Sequence, residues 1–289
     1  MAPRLVRDTV VVITGATSGI GRETAREFAA AGANVVVAAR RQDRLNDLVA
    51  EITKNGGDAL AVPTDVAVEQ QVSDMIAAAR SHYGRIDTLV NNAGIGIAAR
   101  FRNQSLADFR RIIDVNFWGA VYACHAVLPL MQEQESGGLI VNVSSILGKR
   151  AMPFQTAYSA SKFALAGFSE ALRAEVMTQG IDVTTVFPGA VDTEIFDTAQ
   201  NNTGFEMPDF LPKLPAGVLA RAIVANAYLP QPEIIMAADA QGLDLMNTVA
   251  PRLLDAAMGQ AMPFIEGLRK GMSQARSEED RPEPGPDAA

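Results

Sequence analysis

A tyrosine and a lysine, Tyr158 and Lys162, lie four residues apart in a segment with helical periodicity. Residues at this spacing share one face of a helix, so the two side chains point the same way. A phenol with a pKa of about 10 is about one-thousandth ionised at neutral pH, and a neighbouring ammonium stabilises the phenolate. The pair can therefore act as an acid or base near neutrality.

A serine is the next candidate. Ser145 follows an apolar, β-branched segment at residues 138–144 and stands thirteen residues before Tyr158. A serine that ends a parallel strand lies at the carboxyl edge of the sheet, where open α/β folds bind their ligands. Its hydroxyl could hold a substrate oxygen there.

A glycine-rich turn follows the first apolar segment, with the spacing Gly-x-x-x-Gly-x-Gly. Glycine at these positions permits a tight turn, close approach of a pyrophosphate, and close packing of the next helix on the sheet, whose first N–H groups face the anion. An ordinary strand-to-helix turn is the alternative, and the position after the first strand favours dinucleotide binding. The residues of this turn predicted to bind the cofactor are Gly15, Thr17, Ser18, Gly19, Ile20 and Gly21.

The end of the second apolar segment bears on the choice of dinucleotide. An acidic residue there would accept the ribose 2′-hydroxyl of NAD, but the sequence has Ala39 followed by Arg40 and Arg41. Two guanidiniums can form charge-assisted bonds to a 2′-phosphate, which favours NADP over NAD. The alternative is that both arginines are solvated at a helix entrance, with Asp43 as an acid of its first turn.

Short β-branched segments alternate with longer helix-periodic segments along most of the chain. Strands that are apolar on consecutive residues are covered on both faces, and their alternation with helices requires crossover connections. We therefore predict an α/β fold: a Rossmann-type doubly wound parallel sheet of about seven strands with helices on both faces, in a single domain. The predicted strands are residues 10–14, 34–39, 58–62, 86–91, 138–144, 181–187 and 233–236.

The chain is predicted to have three parts, with a change of composition only near residue 272. Residues 1–240 are predicted to form the NAD(P)-binding catalytic domain, and residues 241–272 an apolar, helical extension packed on the same domain. Lid packing, oligomer contact and membrane-surface binding compete as uses of this extension. Residues 273–289 are predicted to be a disordered acidic tail, because residues 277–289 contain three prolines and no large apolar side chain.

Charge and composition exclude several classes of protein. The net charge of −8 argues against binding of a phosphate backbone, so nucleic acid is not expected as a partner. One cysteine, Cys124, cannot form an internal disulfide, and two histidines without a carboxylate cluster predict no metal site. The N-terminus lacks a signal-like apolar stretch, which predicts a cytoplasmic protein. The uncharged run at residues 115–132 contains Asn116 and Pro129, which favours a buried helix over a membrane span.

These motifs resemble those of the classical short-chain dehydrogenase/reductase family, over roughly residues 8–240. Taken singly, most of them could be a strand-ending turn or a satisfied polar residue in a helix, but their joint order and spacing favours the family. The separation from the tyrosine also selects Ser145 over its neighbour Ser144. The motifs that carry the resemblance are the glycine turn, Asp65-Val66, Asn91-Asn92-Ala93-Gly94, Asn116, Ser145, Tyr158-x-x-x-Lys162 and Pro188-Gly189 with Thr193.

The resemblance implies a catalytic group of four residues. Tyr158 gives or takes the proton at the substrate oxygen, and Ser145 hydrogen-bonds that oxygen. Lys162 binds the nicotinamide ribose and lowers the pKa of Tyr158, while Asn116 positions a water that links the lysine to solvent. The resemblance also implies cofactor contacts from Asp65, Val66, Asn92, Ala93, Gly94, Tyr158, Lys162, Pro188, Gly189, Val191 and Thr193.

The expected activity is hydride transfer between NADP(H) and a small hydrophobic ketone or secondary alcohol, with NAD(H) as the alternative cofactor. A non-catalytic NADP-binding regulatory or interaction module, and an epimerase or dehydratase, remain open. The family often dimerises through the helices at residues 116–131 and 158–177, so a homodimer or homotetramer is expected. Residues 201–204 are interpreted as a lid stem. The apolar residues expected to line a substrate pocket are Ile97, Leu147, Met152, Phe154, Ile195, Phe196, Phe205 and Phe210.

Overall fold

The computed structural model describes residues 5–193, 200–201, 213–236, 242, 246–247 and 249–260. Strands and helices alternate through most of these residues, and single-turn 3₁₀ helices lie at Phe101–Asn103, Ile146–Gly148 and Met177–Gln179. The main elements are β1 (Val10–Thr14), α1 (Gly19–Ala30), β2 (Asn34–Ala39), α2 (Gln42–Lys54), β3 (Asp58–Pro63), α3 (Glu69–Tyr83), β4 (Thr88–Asn91), α4 (Leu106–Ile113), α5 (Gly119–Glu133), β5 (Gly138–Val143), α6 (Thr156–Val176), β6 (Ile181–Pro188), α7 (Ala216–Tyr228) and β7 (Glu233–Met236).

Seven strands form one sheet in the order β7–β6–β5–β4–β1–β2–β3. Every neighbouring pair in this sheet is parallel, so all carboxyl ends lie at one edge. The predicted doubly wound parallel sheet is confirmed. The strand order reverses between β1 and β4, which is the position where open α/β sheets bind ligands.

Two short parallel pairs lie outside the main sheet. Ile97–Ala98, after β4, pairs with Gln200–Asn201, and Val191–Asp192, after β6, pairs with Leu214–Pro215. Both pairs follow the carboxyl ends of main strands. They place additional segments of the chain around the carboxyl edge of the main sheet, where the predicted site residues lie.

The sheet is covered on both faces because its strands are apolar on consecutive residues. One core joins alternate residues of β1 and β2 to α1, α2 and α7, with Phe28 and Leu48 among its buried side chains. The other joins the remaining strand residues to α3, α5 and α6, with Met75 and Val127 buried there. The two cores hold α1 and α6, which carry the glycine turn and Tyr158, in fixed positions on the sheet.

A continuous helical stretch runs from Leu106 to Glu133, and a π-helical turn at Asp114–Trp118 joins α4 to α5. By length and composition this is the one helix, among the residues that could be described, apolar enough to cross a membrane. Its inner side packs on the sheet through Ala123, Val127 and Met131, which agrees with the helix against protein that the sequence predicted. π-helical turns occur frequently at functional sites, and this one contains Asn116.

The C-terminal extension is described in part. Residues 251–260 are helical, and in this helix only Leu254 and Met258 are partly covered by the rest of the chain. The predicted pocket residues Ile195, Phe196, Phe205 and Phe210, residues 202–204 of the predicted lid stem, and the predicted tail lie outside the described residues.

Candidate active site

The catalytic candidates meet at the carboxyl edge of β5. Ser145 follows this strand and is 8% exposed, and Tyr158 lies half-buried in the first turn of α6. The Ser145 hydroxyl is hydrogen-bonded with the phenol of Tyr158, and it also accepts a bond from the Leu147 N–H at 3.1 Å. The sheet edge thus brings together the two side chains that the sequence assigned to the substrate oxygen.

The neighbouring serine has a different task. Ser144 is buried, and its hydroxyl donates to the backbone carbonyl of Lys162 at 2.9 Å. Gly148 packs against the same contact, since a Cβ there would lie 2.5 Å from the Ser144 Oγ. Ser144 therefore anchors α6 to the end of β5, while Ser145 faces the tyrosine.

Lys162 is 3% exposed, and its ammonium donates to the backbone carbonyl of Val143 at 2.8 Å. The Nζ atom lies 5.7 Å from the centre of the Tyr158 ring. A Cβ at Gly94 would lie 3.6 Å from this Nζ and 3.5 Å from the Asn116 Oδ1. The absence of a side chain at Gly94 keeps the space between these two polar groups open.

Burial governs the titration of both ionisable groups. It lowers the pKa of Lys162 to about 8 and raises the pKa of Tyr158, while the hydrogen bond from Ser145 lowers the latter in part. The sequence led us to expect a lowered pKa at Tyr158 because of the ammonium. With the groups of the protein alone the direction is upward, because removal of the phenolate from water outweighs the other effects.

The lysine makes the stability of the protein depend on pH. A buried base with a lowered pKa costs stability while it is charged, so Lys162→Met should raise the free energy of unfolding of the cofactor-free protein at pH 7. We expect a gain of about 1–2 kcal/mol, because relief of the buried charge exceeds the loss of one hydrogen bond. Between pH 8 and the ordinary lysine pKa of 10.5, Lys162 binds more protons in the unfolded state than in the folded state. The free energy of unfolding of the wild type therefore rises with pH in this range, and the advantage of Lys162→Met disappears.

Urea unfolding at pH 7 and pH 10 measures this gain, with Lys54→Met, at an exposed position, as the matched control. A loss of stability in Lys162→Met that is equal at both pH values would contradict the account.

Asn116 is hydrogen-bonded to the protein through both its amide oxygen and its amide nitrogen. Its Oδ1 accepts from the Ile95 N–H at 2.8 Å, and its Nδ2 donates to the Ile95 carbonyl and to the Ser161 hydroxyl, each at 3.0 Å. Ser161 in turn donates to the backbone carbonyl of Tyr158 at 2.7 Å. Asn116 therefore ties the segment after β4 to the turn of α6 that carries the tyrosine.

Sequence reasoning missed Ser161, although a serine three residues after Tyr158 can bond back to its carbonyl. We expect Ser161→Ala to lower the free energy of unfolding by about 1–2 kcal/mol, because one buried Asn116 N–H loses its acceptor. Ser159→Ala is the matched control, since the buried Ser159 hydroxyl has no hydrogen-bond partner in the structure. Chemical denaturation measures both variants, and equal effects would argue against the contact.

The glycine turn is held by the end of β4. The Thr14 hydroxyl accepts from the backbone N–H groups of Asn92 and Ala93, at 3.1 and 3.2 Å. The Asn92 side chain donates to the carbonyls of Thr14 and Gly15, at 3.0 and 3.2 Å. Asn92, a predicted cofactor contact, thus supports through its amide nitrogen the turn that is predicted to bind the cofactor.

At each of the three glycines of the turn, a Cβ atom would collide with a different set of neighbouring atoms. Gly15 and Gly19 have left-handed φ values of +67° and +51°, and their Cβ atoms would lie 2.8 Å from Ala93 and from Thr193 respectively. For Gly21 the sequence suggested close packing of α1 on the sheet. The nearer obstacles are the Gly15 carbonyl and the Asn92 amide, each 2.4 Å from its Cβ position.

The turn leaves the start of α1 without a side-chain cap. Ser18 is the N-cap residue, and its hydroxyl makes no capping bond to the helix. Thr17 is buried, and its hydroxyl accepts a bond from Arg41 at 3.0 Å. This bond joins the glycine turn to the end of β2, where Arg40 and Arg41 are both exposed.

The remaining predicted cofactor contacts lie along the same edge. Asp65 and Val66 follow β3, where the Asp65 carboxylate accepts from the Ala67 N–H and Val66 packs against Gly119. Pro188 ends β6 and Gly189 donates its N–H to the Met236 carbonyl. Val191 is buried, and Thr193 contacts Gly19 of the glycine turn, as described above.

The predicted pocket residues that the structure describes differ in their burial. Ile97 is buried in a small cluster with Ile112 and Ala157, so it supports the site from behind. Leu147 is half-buried, whereas Met152 is exposed. Phe154 has a left-handed φ of 66°, and Arg100 lies 5.7 Å above its ring.

The chain is similar to known proteins of one family. The family model of short chain dehydrogenases matches residues 9–204. The uncharacterized oxidoreductase YxnA of Bacillus subtilis is 34% identical over 260 residues, which cover 89% of this chain and 73% of that protein.

Two solved structures are similar in sequence and fold. The alcohol dehydrogenase of Thermococcus sibiricus, complexed with 5-hydroxy-NADP, is 26% identical with a TM-score of 0.72, covering 80% of this chain and 96% of that one. A short chain dehydrogenase/reductase of Burkholderia phymatum, in complex with NAD, is 25% identical with a TM-score of 0.79, covering 87% and 96%.

Proposed function

The chain belongs to the short chain dehydrogenase family of oxidoreductases, and from this premise we propose that it transfers a hydride between NADP(H) and a hydrophobic ketone or secondary alcohol. The observation that carries the proposal is the meeting of Ser145, Tyr158 and Lys162 at one sheet edge, beside the glycine turn. We propose that reduction of the carbonyl is the cellular direction.

The residues of this edge fit a nicotinamide dinucleotide. Gly15 and Gly19 form a turn without protruding side chains, and the start of α1 has no side-chain cap. Uncapped N–H groups at a helix start bind phosphate. Gly94 keeps the space beside Lys162 and Asn116 open, where a ribose hydroxyl could be bound. The two similar solved structures contain NAD or an NADP derivative, which supports a cofactor of this class.

We propose that NADP is preferred over NAD. Ala39 stands where an acid would be needed for the 2′-hydroxyl of NAD, and Arg41 is held against the glycine turn by Thr17. A guanidinium in this position can pair with a 2′-phosphate. Arg40 is exposed next to it and would supply a second positive charge.

Side chains of the protein would bind the substrate oxygen and supply its proton. The bound cofactor supplies the hydride that is exchanged with the carbonyl carbon. Tyr158 is kept protonated at neutral pH by its raised pKa, so it can donate its proton to the developing alkoxide. Ser145 donates a hydrogen bond to the same oxygen, and the Lys162 ammonium adds positive charge nearby.

The substrate is proposed to be a small molecule with an apolar body. Leu147, Met152 and Phe154 lie in the segment between Ser145 and Tyr158, and these apolar residues support an apolar substrate. A panel of aryl, alicyclic, steroid and long-chain ketones and alcohols, followed by the absorbance of NADPH and of NADH, tests the proposal. Turnover of ketones with NADPH is expected, and no turnover across the panel with either cofactor would overturn it.

We also propose a homodimer or homotetramer formed through α5 and α6, in the cytoplasm. Exposed aromatic side chains on this side of the fold support the first part: Trp118, at the start of α5, stacks on Tyr122, and Phe163 lies exposed on α6. Light scattering measures the assembly, and cell fractionation the location.

A further inference from the structure

The segment that joins Ser145 to Tyr158 is fixed at both of its ends. At its start, Gly148 packs against Ser144 and the Lys162 carbonyl. At its other end, the Phe154 carbonyl accepts from the Ala99 N–H at 2.9 Å. These contacts hold the two ends of the segment, and the residues between them are Lys149 to Pro153.

The middle of this segment is attached to the C-terminal extension by polar contacts. Arg150 donates to the Asn247 Oδ1 at 3.1 Å and forms a close ion pair with Asp255. Asn247 donates back to the Lys149 carbonyl at 3.0 Å. The side chain of Arg150 is only 15% exposed, so both contacts are formed in a partly desolvated position.

Apolar packing adds little to this attachment. In the helix at residues 251–260 only Leu254 and Met258 are partly covered, while Leu253 is 61% exposed. A cleft of about 530 Å³ lies between the extension and the segment, and its lining includes Met152, Phe163 and Met258. Among the residues that the structure describes, the polar bonds of Arg150 are therefore the principal link between the extension and the active-site segment.

We propose that Arg150 is a positioning residue that sets the affinity for the substrate. By binding Asn247 and Asp255 it holds residues 246–247 and 249–260 against the segment that joins Ser145 to Tyr158, and so fixes the position of Met152 within that segment. Loss of this link should weaken binding of bulky apolar substrates and leave the chemical step intact, because Ser145 and Tyr158 are anchored separately. The part of this proposal that concerns substrate affinity rests on the function proposed above.

The test compares Arg150→Met and the surface variant Asp255→Asn with wild type. KM for a bulky ketone should rise about tenfold in Arg150→Met, the scale of one or two bonds to a charged group, with kcat within about twofold. Asp255→Asn should show a smaller rise, and the exchange Arg150→Asp with Asp255→Arg should recover part of the loss. Arg221→Met, which breaks a more exposed arginine–carboxylate pair with Glu27 between α7 and α1, is the control.

Hydrogen exchange of the protein without substrate reads the link independently of activity. In Arg150→Met the amides of residues 246–247, 249–250, 252–258 and 150–152 should exchange faster, and in Arg221→Met they should not. If exchange in Arg150→Met is unchanged, Arg150 does not hold the extension on the segment. If exchange is faster but KM is unchanged, this attachment does not affect substrate binding. If wild type reduces no carbonyl compound, the substrate part falls with the proposed function, and the exchange result alone decides the link.

Discussion

Tyr158→Phe should lower kcat for carbonyl reduction by about 10²–10⁴-fold, because the developing alkoxide loses its proton donor. The variant keeps the ring and removes only the hydroxyl. Cofactor binding should be almost unchanged, since the glycine turn and Lys162 are untouched. Steady-state kinetics with a good ketone substrate, together with titration of NADPH by fluorescence, measures the two effects separately.

Tyr83→Phe is the matched control for this variant. Tyr83 lies at the end of α3, and its hydroxyl donates to Asp58 at the amino end of β3, on the opposite edge of the sheet. It should keep wild-type kcat. Near-normal turnover in Tyr158→Phe would contradict the assignment of the tyrosine as the acid, and a matching loss in Tyr83→Phe would point to a general effect on folding.

Arg41→Ala should change the choice of cofactor. The Kd for NADPH should rise about 10- to 100-fold, which is the effect of losing one charge-assisted pair, and the Kd for NADH should change by less than about twofold. The guanidinium is held against Thr17, so it is already oriented toward the glycine turn. Binding titrations with both cofactors at one ionic strength measure this change.

Arg40→Ala separates the two arginines. Arg41 is tied to the glycine turn through the Thr17 hydroxyl, so the effect of Arg40 on the Kd for NADPH should be smaller than that of Arg41. Equal losses for NADPH and NADH in Arg41→Ala would contradict a role at the 2′-phosphate, since such losses indicate damage to the turn itself. A larger effect of Arg40 than of Arg41 would reassign the contact.

The fold could be predicted because its signals are local. Buried parallel strands must be apolar on consecutive residues, and the run at 34–39 shows this directly. The glycine turn and the four-residue spacing of Tyr158 and Lys162 are likewise carried by neighbouring residues. These features follow from backbone geometry and do not depend on distant partners.

The supporting contacts could not be predicted because they join residues far apart in sequence. Asn92 reaches back 78 residues to bond Thr14, and Arg150 bonds Asp255 105 residues further along the chain. The raised pKa of Tyr158 likewise depends on burial by several elements. The sequence identified which residues could do chemistry, and the tertiary structure determined which of them hold the others in place.

Transfer of a deuteride tests the central claim most directly. NADPH that carries deuterium at the transferable position of its nicotinamide ring is incubated with the protein and a ketone that it consumes. We predict one deuterium on the carbinol carbon of the alcohol product, and a large loss of this product with Tyr158→Phe. Conversion of substrates without any deuterium transfer, as an epimerase or dehydratase would give, or binding of NADPH without turnover, would contradict the account.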